Sequence, residues 1–257
     1  MSKATRHHYT INLKDWVDAE DDTIQMRPPT HEDSEVLAEL MLDAYRDTID
    51  YDDETMVEAR EEVQGFLADD PDLDNSRVAI ADGRVVSACL VTTWKEHSFV
   101  SYVMTGAEHK GKGFGTATLR ASLRSLEGAV HATVGAFITE GNTPSEAMFH
   151  RVGAERQPTQ VFHIAENEAW ASRTDTYAPA SFIEEGFIHC STAAQLDRVA
   201  NDFYAEGDDL TLLTIDAERV GSMLVYEDLC GASELFPHIY GPLPLDAVVQ
   251  AVGYSAP

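Results

Sequence analysis

Apolar positions recur along the first 158 residues with two alternating periods. In Glu35-Val36-Leu37-Ala38-Glu39-Leu40-Met41-Leu42 the spacing is helical, and Pro28-Pro29 upstream is a helix-start signal. Arg77-Val78-Ala79-Ile80 and Val85–Val91 flank Asp82-Gly83, which reads as a hairpin with its turn at Asp-Gly. Ser98–Thr105, SFVSYVMT, is a further strand, rich in β-formers. Leu119, Leu123 and Leu126 then fall on one helical face, Ala129–Thr139 returns to strand, and Pro144–Val152 reads as a short helix. That last helix has an Asn142-Thr143 cap and a stop at Gly153. After a junction at Gln157-Pro158-Thr159 the rhythm changes. Short strands at Val161–Ile164, Phe187–His189, Leu210–Ile215 and Val248–Val252 are separated by turns and one helix near Ala193–Tyr204. The pattern predicts an α/β (α+β) chain: a polar, flexible arm over residues 1–21, a first domain over 22–158 and a smaller α+β domain over 159–257.

Composition narrows the function classes. The 257 residues are 44% hydrophobic and 9% aromatic, enough for packed cores and against global disorder. No run approaches the ~18 apolar residues of a membrane span, and MSKATRHHYTINLKDWVDAEDD lacks the apolar region of a secretory signal. Cys89, Cys190 and Cys230 are too few and too scattered for a disulfide framework or a Cys-pair zinc site, which points to a reducing cytoplasm. The formal charge is −27, from 45 acidic and 18 basic residues, and the acids crowd between Asp15 and Asp74. Such a surface disfavours nucleic acid as a partner, and its poverty in lysine suits a salty cytoplasm. Nothing in the pattern specifies an oligomeric state.

Against this background His109-Lys110-Gly111-Lys112-Gly113-Phe114-Gly115 stands out, because it holds two of the chain's five lysines and three glycines. It lies between a predicted strand and a predicted helix, where backbone N–H groups and the helix dipole suit a phosphate or pyrophosphate. A bland surface turn is the competing reading. The spacing fits neither a Walker loop, which needs Lys-Ser/Thr, nor a Rossmann loop, which follows the first strand of a βαβ unit.

The order helix, hairpin, strand, [QR]-x-x-G-x-[GA], helix, strand, then N-x-x-(S/A)-x-x-x-(Y/F)-x-x-x-G resembles the GCN5-related N-acetyltransferase (GNAT) family over about residues 22–156. Lys110 stands at the Gln/Arg position, with Gly113 and Gly115 following; the second half-motif runs from Asn142 through Phe149 to Gly153. The resemblance implies a mixed sheet flanked by helices, and acetyl-CoA as acyl donor to a small-molecule or protein amine. It implies that backbone groups of Val103 and Thr105 meet the pantetheine arm, that Lys110, Gly111, Lys112, Gly113, Gly115 and Thr116 hold the pyrophosphate, and that Asn142 lies nearby. Phe149 stands where many members carry the tyrosine that protonates the leaving thiolate. Glu96, Glu140 and His109 are candidate bases by their closeness to strand ends. A non-catalytic acyl-CoA sensor is the alternative that Phe149 keeps open.

The second half holds three histidines, His163, His189 and His238, each in an apolar or turn-rich setting. Singly, each reads first as a satisfied core histidine; together they suggest one pocket, lined also by Ser191, Glu227 and Tyr240. Without an H-x-H or H-x-x-x-H pair, an organic ligand is expected there and no metal. VFHIA, YAPASFIEEGFIHCST and ELFPHIYGPLPL resemble the DUF952 family, and more distantly the ADP-ribosyltransferase fold. That distant likeness implies NAD or a related nucleotide near His163, His189, Ser191 and Glu227 or His238.

Overall fold

The computed structural model describes residues 5–14, 16, 23–46, 48–69, 71–229, 231 and 234–256, so Cys230 and all of residues 1–4 and 17–22 lie outside the described set. The chain divides into two compact units, Met1–Glu155 and Arg156–Pro257. The division falls three residues before the junction expected from sequence.

The first unit contains β1 (Arg6–Asn12), β2 (Gln25–Arg27), α1 (Ser34–Tyr45), α2 (Met56–Ala68), β3 (Arg77–Ala81), β4 (Arg84–Trp94) and β5 (His97–Thr105). It continues with α3 (Phe114–Ser125), β6 (Thr133–Thr139) and α4 (Thr143–Arg151), and β7 (Glu155–Arg156) lies at the junction. The sheet order is β2-β3-β4-β5-β6-β1-β7. Its β3–β4 turn has Asp82 at φ 51° and Gly83 at φ 73°, the left-handed pair that a two-residue hairpin needs. Successive residues of β4 serve opposite faces. Cys89 and Val91 pack with α3 and α4 through Leu119, Leu123 and Phe149. Ala88 and Leu90 pack with α1 and α2 through Leu37, Leu40, Val63 and Phe66. The expected mixed sheet flanked by helices is what forms.

One expectation is corrected. Residues 6–12 are not a flexible arm but an interior strand, paired antiparallel with all of β6 from Arg6↔Thr139 to Asn12↔Thr133. RHHYTIN reads as polar, yet His7 through Ile11 are all buried. His8 lies edge-on to Phe137, with centroids 5.1 Å apart. A Cβ at Gly135 on β6 would stand 2.8 Å from the Phe99 ring and 3.1 Å from His8 Nε2, so glycine there lets the two rings close over the strand. Trp16 also packs against this core.

The second unit is built from small antiparallel sheets. It comprises β8 (Gln160–Glu166), α5 (Asn167–Ala171), β9 (Thr176–Tyr177), α6 (Ala180–Glu185), β10 (Ile188–His189), α7 (Leu196–Phe203) and β11 (Leu210–Asp216). α8 (Ala217–Val220), β12 (Leu224–Glu227), β13 (Phe236–Ile239), β14 (Leu243–Pro244) and β15 (Val248–Tyr254) complete it. The sheets run β15-β11-β8, β10-β13-β12 and β14-β9. Val161, Ile188, Leu213, Ile215, Leu224, Tyr226 and Ile239 form their common core. No helix among the described residues is long and apolar enough to cross a membrane.

Burial of His8 sets a pH response. Desolvation lowers its pKa from 6.5 to about 3, so between those values the unfolded chain binds a proton that the folded one refuses. Stability is intact above pH 6.5 and falls as pH drops toward 3, by up to about 1.4 kcal/mol per pH unit. Denaturant melts of the wild type and of His8→Phe from pH 7 to pH 4 should show the acid decline shrinking in the variant. Parallel curves would mean that His8 is charged in the fold.

Candidate active site

The site is built on a parallel strand pair, β5 with β6. Their ladder has three rungs, Ser98↔Val134, Phe99↔Gly135 and Val100↔Ala136, and then stops. Beyond Val100 the strands part. β5 stays paired to β4, but the register slips between Leu90↔Tyr102 and Val91↔Val100, leaving Ser101 as an extra residue. Such a bulge re-aims the side chains that follow it. Ser101, Tyr102 and Val103 line a cavity of about 820 Å³ that opens in the gap. Ala136–Thr139 of β6, and Asn142, Ser145 and Phe149 at α4, form the same wall. The facing wall is Met41, Leu42 and Tyr45 of α1, then Ile49–Asp52, Glu54, and Glu58, Ala59 and Glu62 of α2.

At the end of β5 the chain passes through a 3₁₀ turn, Ala107–His109, into the lysine–glycine loop. The end of α1 clamps this turn: Ala107 N donates to Asp43 Oδ2 at 2.8 Å, and Lys110 Nζ donates to the Ala44 carbonyl at 2.7 Å. Lys110 therefore fixes the loop against the negative end of α1 and is not free to meet a ligand. The N–H groups of Lys110 and Lys112 are engaged in the turn itself, with Ala107 O and His109 O at 3.4 and 3.3 Å. The expected pyrophosphate set contracts accordingly. Gly113 is the left-handed N-cap of α3 (φ 89°) and offers no side-chain cap. The first-turn amides of Phe114, Gly115 and Thr116 have no intrahelical acceptor. A Cβ on Gly111 or Gly113 would meet nothing within 4 Å, so both border open space where a ligand can approach backbone. Gly115 is different: its Cβ would stand 2.9 Å from Thr105 Oγ1 and 3.3 Å from Met148 Sδ, so glycine lets α3 dock onto β5 and α4. These uncapped amides fit a phosphate, with Lys112 as the exposed cation beside them.

Asn142 caps α4 by accepting from Ser145 N, and its Nδ2 donates to Asp50 Oδ2 at 2.6 Å, joining the two cavity walls. Phe149 is 4% exposed and lines the cavity where it meets the core. The candidate bases do not converge there. Glu96 lies in the turn before β5, at the end away from the loop; nine residues at ~3.3 Å each put it about 30 Å from Thr105. The Glu140 side chain is 63% exposed and stands 3.8 Å from His7 Nε2, outside the lining. His109 stacks edge-on against Phe114 at 5.4 Å. The cavity instead gathers Asp50, Asp52, Glu54, Glu58 and Glu62, with the Tyr45, Tyr51 and Tyr102 rings. The Tyr102 hydroxyl donates to Glu62. Burial, then the charges of Asp50, Glu62 and Glu54, push the Tyr45 phenol above its ordinary pKa. The signal for these residues was the acidic crowding before Asp74.

In the second unit two of the three histidines converge. β10 pairs with β13 so that His189 opposes His238, with ring centroids 5.2 Å apart. Phe187 packs on His238 at 4.6 Å and on Tyr240 at 5.3 Å. Tyr240 donates to Glu227 Oε1 at 2.7 Å, and His238 Nδ1 lies 3.2 Å from the same oxygen. The exposed His189 ring meets Glu185 at 2.5 Å. His163 is a correction. Its Nδ1 bonds the His189 carbonyl at 2.7 Å and its Nε2 the Tyr177 hydroxyl at 3.1 Å. Burial lowers its pKa to about 4. With both nitrogens engaged it is a neutral core histidine that ties β8 to β10, not a ligand group. Ser191 joins the same seam through a two-way backbone bridge to Phe162.

Residues 23–155 match the family described as acetyltransferase (GNAT) domain, and residues 164–251 match the protein of unknown function family DUF952. No curated protein matches the chain. Among solved structures, a Caulobacter crescentus protein is 28% identical over 37% of this chain and 85% of its own, with a TM-score of 0.35. A GCN5-related N-acetyltransferase from Sphaerobacter thermophilus is 17% identical over 59% of this chain and 48% of its own, with a TM-score of 0.47. The paia N-acetyltransferase from Thermoplasma acidophilum, solved in complex with coenzyme A, is 16% identical over 50% and 87%, at 0.41.

The loop geometry separates three substitutions by calorimetric titration with acetyl-CoA. Gly113→Val should raise Kd by about 100-fold or more, equal to some 2.7 kcal/mol, by filling the cradle. Lys112→Ala should cost only about fivefold at low salt and less at high salt. Lys110→Ala should lower Tm together with affinity, because it frees the loop from α1. Glycine variants that bind as the wild type does would reduce the loop to a plain turn.

Proposed function

Because the chain belongs to the GNAT acetyltransferase family, we propose that its first unit is an acetyl-CoA-dependent N-acetyltransferase acting on an amine. The observation that carries this reading is the cavity in the gap between β5 and β6, together with the uncapped amides of α3, which begin in the loop that follows β5. Acetyl-CoA supplies an activated acyl group, and the open backbone edge of β5 at Val103 and Thr105 is placed to take its arm. Gly111, Gly113 and the first turn of α3 would hold its pyrophosphate. An ammonium acceptor gives up two protons, one to a base and one to the departing thiolate, as the carbon–nitrogen bond forms and the carbon–sulfur bond breaks.

Glu62 is the base this geometry favours. It lines the cavity, and the hydroxyl of Tyr102, on the bulged segment of β5, holds it in place. Phe149 has no proton to give, so the thiolate takes its proton from water. That feature also supports a second reading, in which the unit binds acyl-CoA as a sensor without turning it over. For the second unit the compact group of His189, Glu227, His238 and Tyr240 supports a small polar pocket. A nucleotide such as NAD loses its expected His163 contact there.

Thiol release with a panel of amines separates enzyme from sensor: release with any acceptor supports transfer, and binding without release supports sensing. Glu62→Gln should lower kcat by about 10²-fold, the scale of general base catalysis, with acetyl-CoA affinity unchanged. Phe149→Tyr should raise kcat by about tenfold, less than the full 10²–10⁴ of general acid catalysis because water already serves. Complete loss of activity in Phe149→Tyr would show that the position serves packing alone.

A further inference from the structure

The proposed acyl-transfer cavity is strongly one-sided in charge. Its lining holds five carboxylates, Asp50, Asp52, Glu54, Glu58 and Glu62, and one described cation, Arg6. The whole chain has 45 acidic to 18 basic residues, so the cavity exceeds even that imbalance. At the start of α1, away from the cavity-lining residues of that helix, acids are paired: Arg27 forks onto Asp33 and Arg60 onto Glu35. Inside the cavity, the hydrogen-bond partners among the described residues are neutral. Asp50 takes the Asn142 amide, Glu54 accepts from Asp52 N, Glu58 caps α2 through Thr55, and Glu62 takes the Tyr102 hydroxyl. The field is felt at Tyr45, whose ionisation is opposed by burial and then by Asp50, Glu62 and Glu54.

An acyl-CoA is polyanionic, so this wall repels it and must face the acceptor. Acids that held only the reacting nitrogen would work against transfer. They would stabilise its ammonium form, and the nitrogen has to be neutral to attack. Five carboxylates assist transfer only if the acceptor keeps a positive charge elsewhere while one nitrogen reacts. The cavity volume, about 820 Å³, is that of a small-molecule site. Resting on the acetyltransferase reading, we infer that the acceptor is a small di- or polycationic amine, with Glu54, Glu58 and Asp52 binding its retained charge.

The test uses the full chain and a matched pair of probes, 1,4-diaminobutane and butylamine, with acetyl-CoA binding measured separately by calorimetry. The diamine should show a kcat/KM at least about 20-fold above the monoamine, mostly through KM, and the advantage should shrink with added salt. Glu58→Gln removes charge while keeping a capping residue at that position. It should reduce the diamine's advantage about fivefold and leave acetyl-CoA affinity unchanged, whereas the exposed Glu127→Gln should change neither. Equal use of the two amines, or an equal effect of Glu127→Gln, overturns the inference and leaves the acetyltransferase reading standing. If acetyl-CoA binds but no amine is turned over, the transferase reading fails. Titration of the two amines into the protein then decides this inference: tighter binding of the diamine, weakened by Glu58→Gln, supports it, and equal binding overturns it.

Discussion

The structure of the first unit depends on two strands that cannot stay together. β6 is held along its whole length by β1, over seven antiparallel rungs. β5 is held along most of its length by β4, and bulges at Ser101. Each strand follows its own partner and its own twist, so their parallel ladder lasts three rungs and opens. The rings of Phe99 and His8 close over Gly135 at the second of those rungs, one rung before the strands part. Everything functional lies beyond that point: the cavity, the free edge of β5, the loop at its end and the docked start of α3. A buried histidine on β1 thus packs beside the start of the gap on the far side of β6.

Electrostatics divides the site into two ends. Attraction for an anion rests mainly on backbone amides, because one of the two loop lysines is held by the carbonyl of Ala44. A helix N-terminus and its dipole provide positive potential without spending cationic side chains, which this chain has few of. The other end, built by the α1–α2 connection and α2, is acidic, with Arg6 as the one cation among the described residues of its lining. Free amides in the loop after β5 and carboxylates in the cavity suit two reactants of opposite charge.

Much of this was legible in the sequence, for reasons visible in particular residues. α3 announced itself through Leu119, Leu123 and Leu126, the β3–β4 hairpin through Asp82-Gly83, and α4 through Asn142 and Gly153. The matches to known families fall where the motifs placed them. β1 was missed because His7, His8 and Thr10 look like a polar arm, and only pairing on both sides buries them. α2 was missed because Ala59, Val63 and Phe66 are a thin apolar stripe within an acidic run. Glu96 lies outside the cavity for a topological reason: it is beside a strand end, but the end away from the loop. His163 could not be told from a ligand by its neighbours in sequence, since the groups that satisfy it, Tyr177 and the His189 carbonyl, are 14 and 26 residues away.

Binding of an acyl-CoA by the backbone amides of the loop after β5 is open to one direct measurement. Amide resonances of the full chain can be followed while coenzyme A is titrated in. Saturable shifts are expected at Gly111, Gly113, Phe114, Gly115 and Thr116, together with Val103 and Thr105 of β5. Shifts confined to other surfaces, or none at saturating coenzyme A, would contradict such binding.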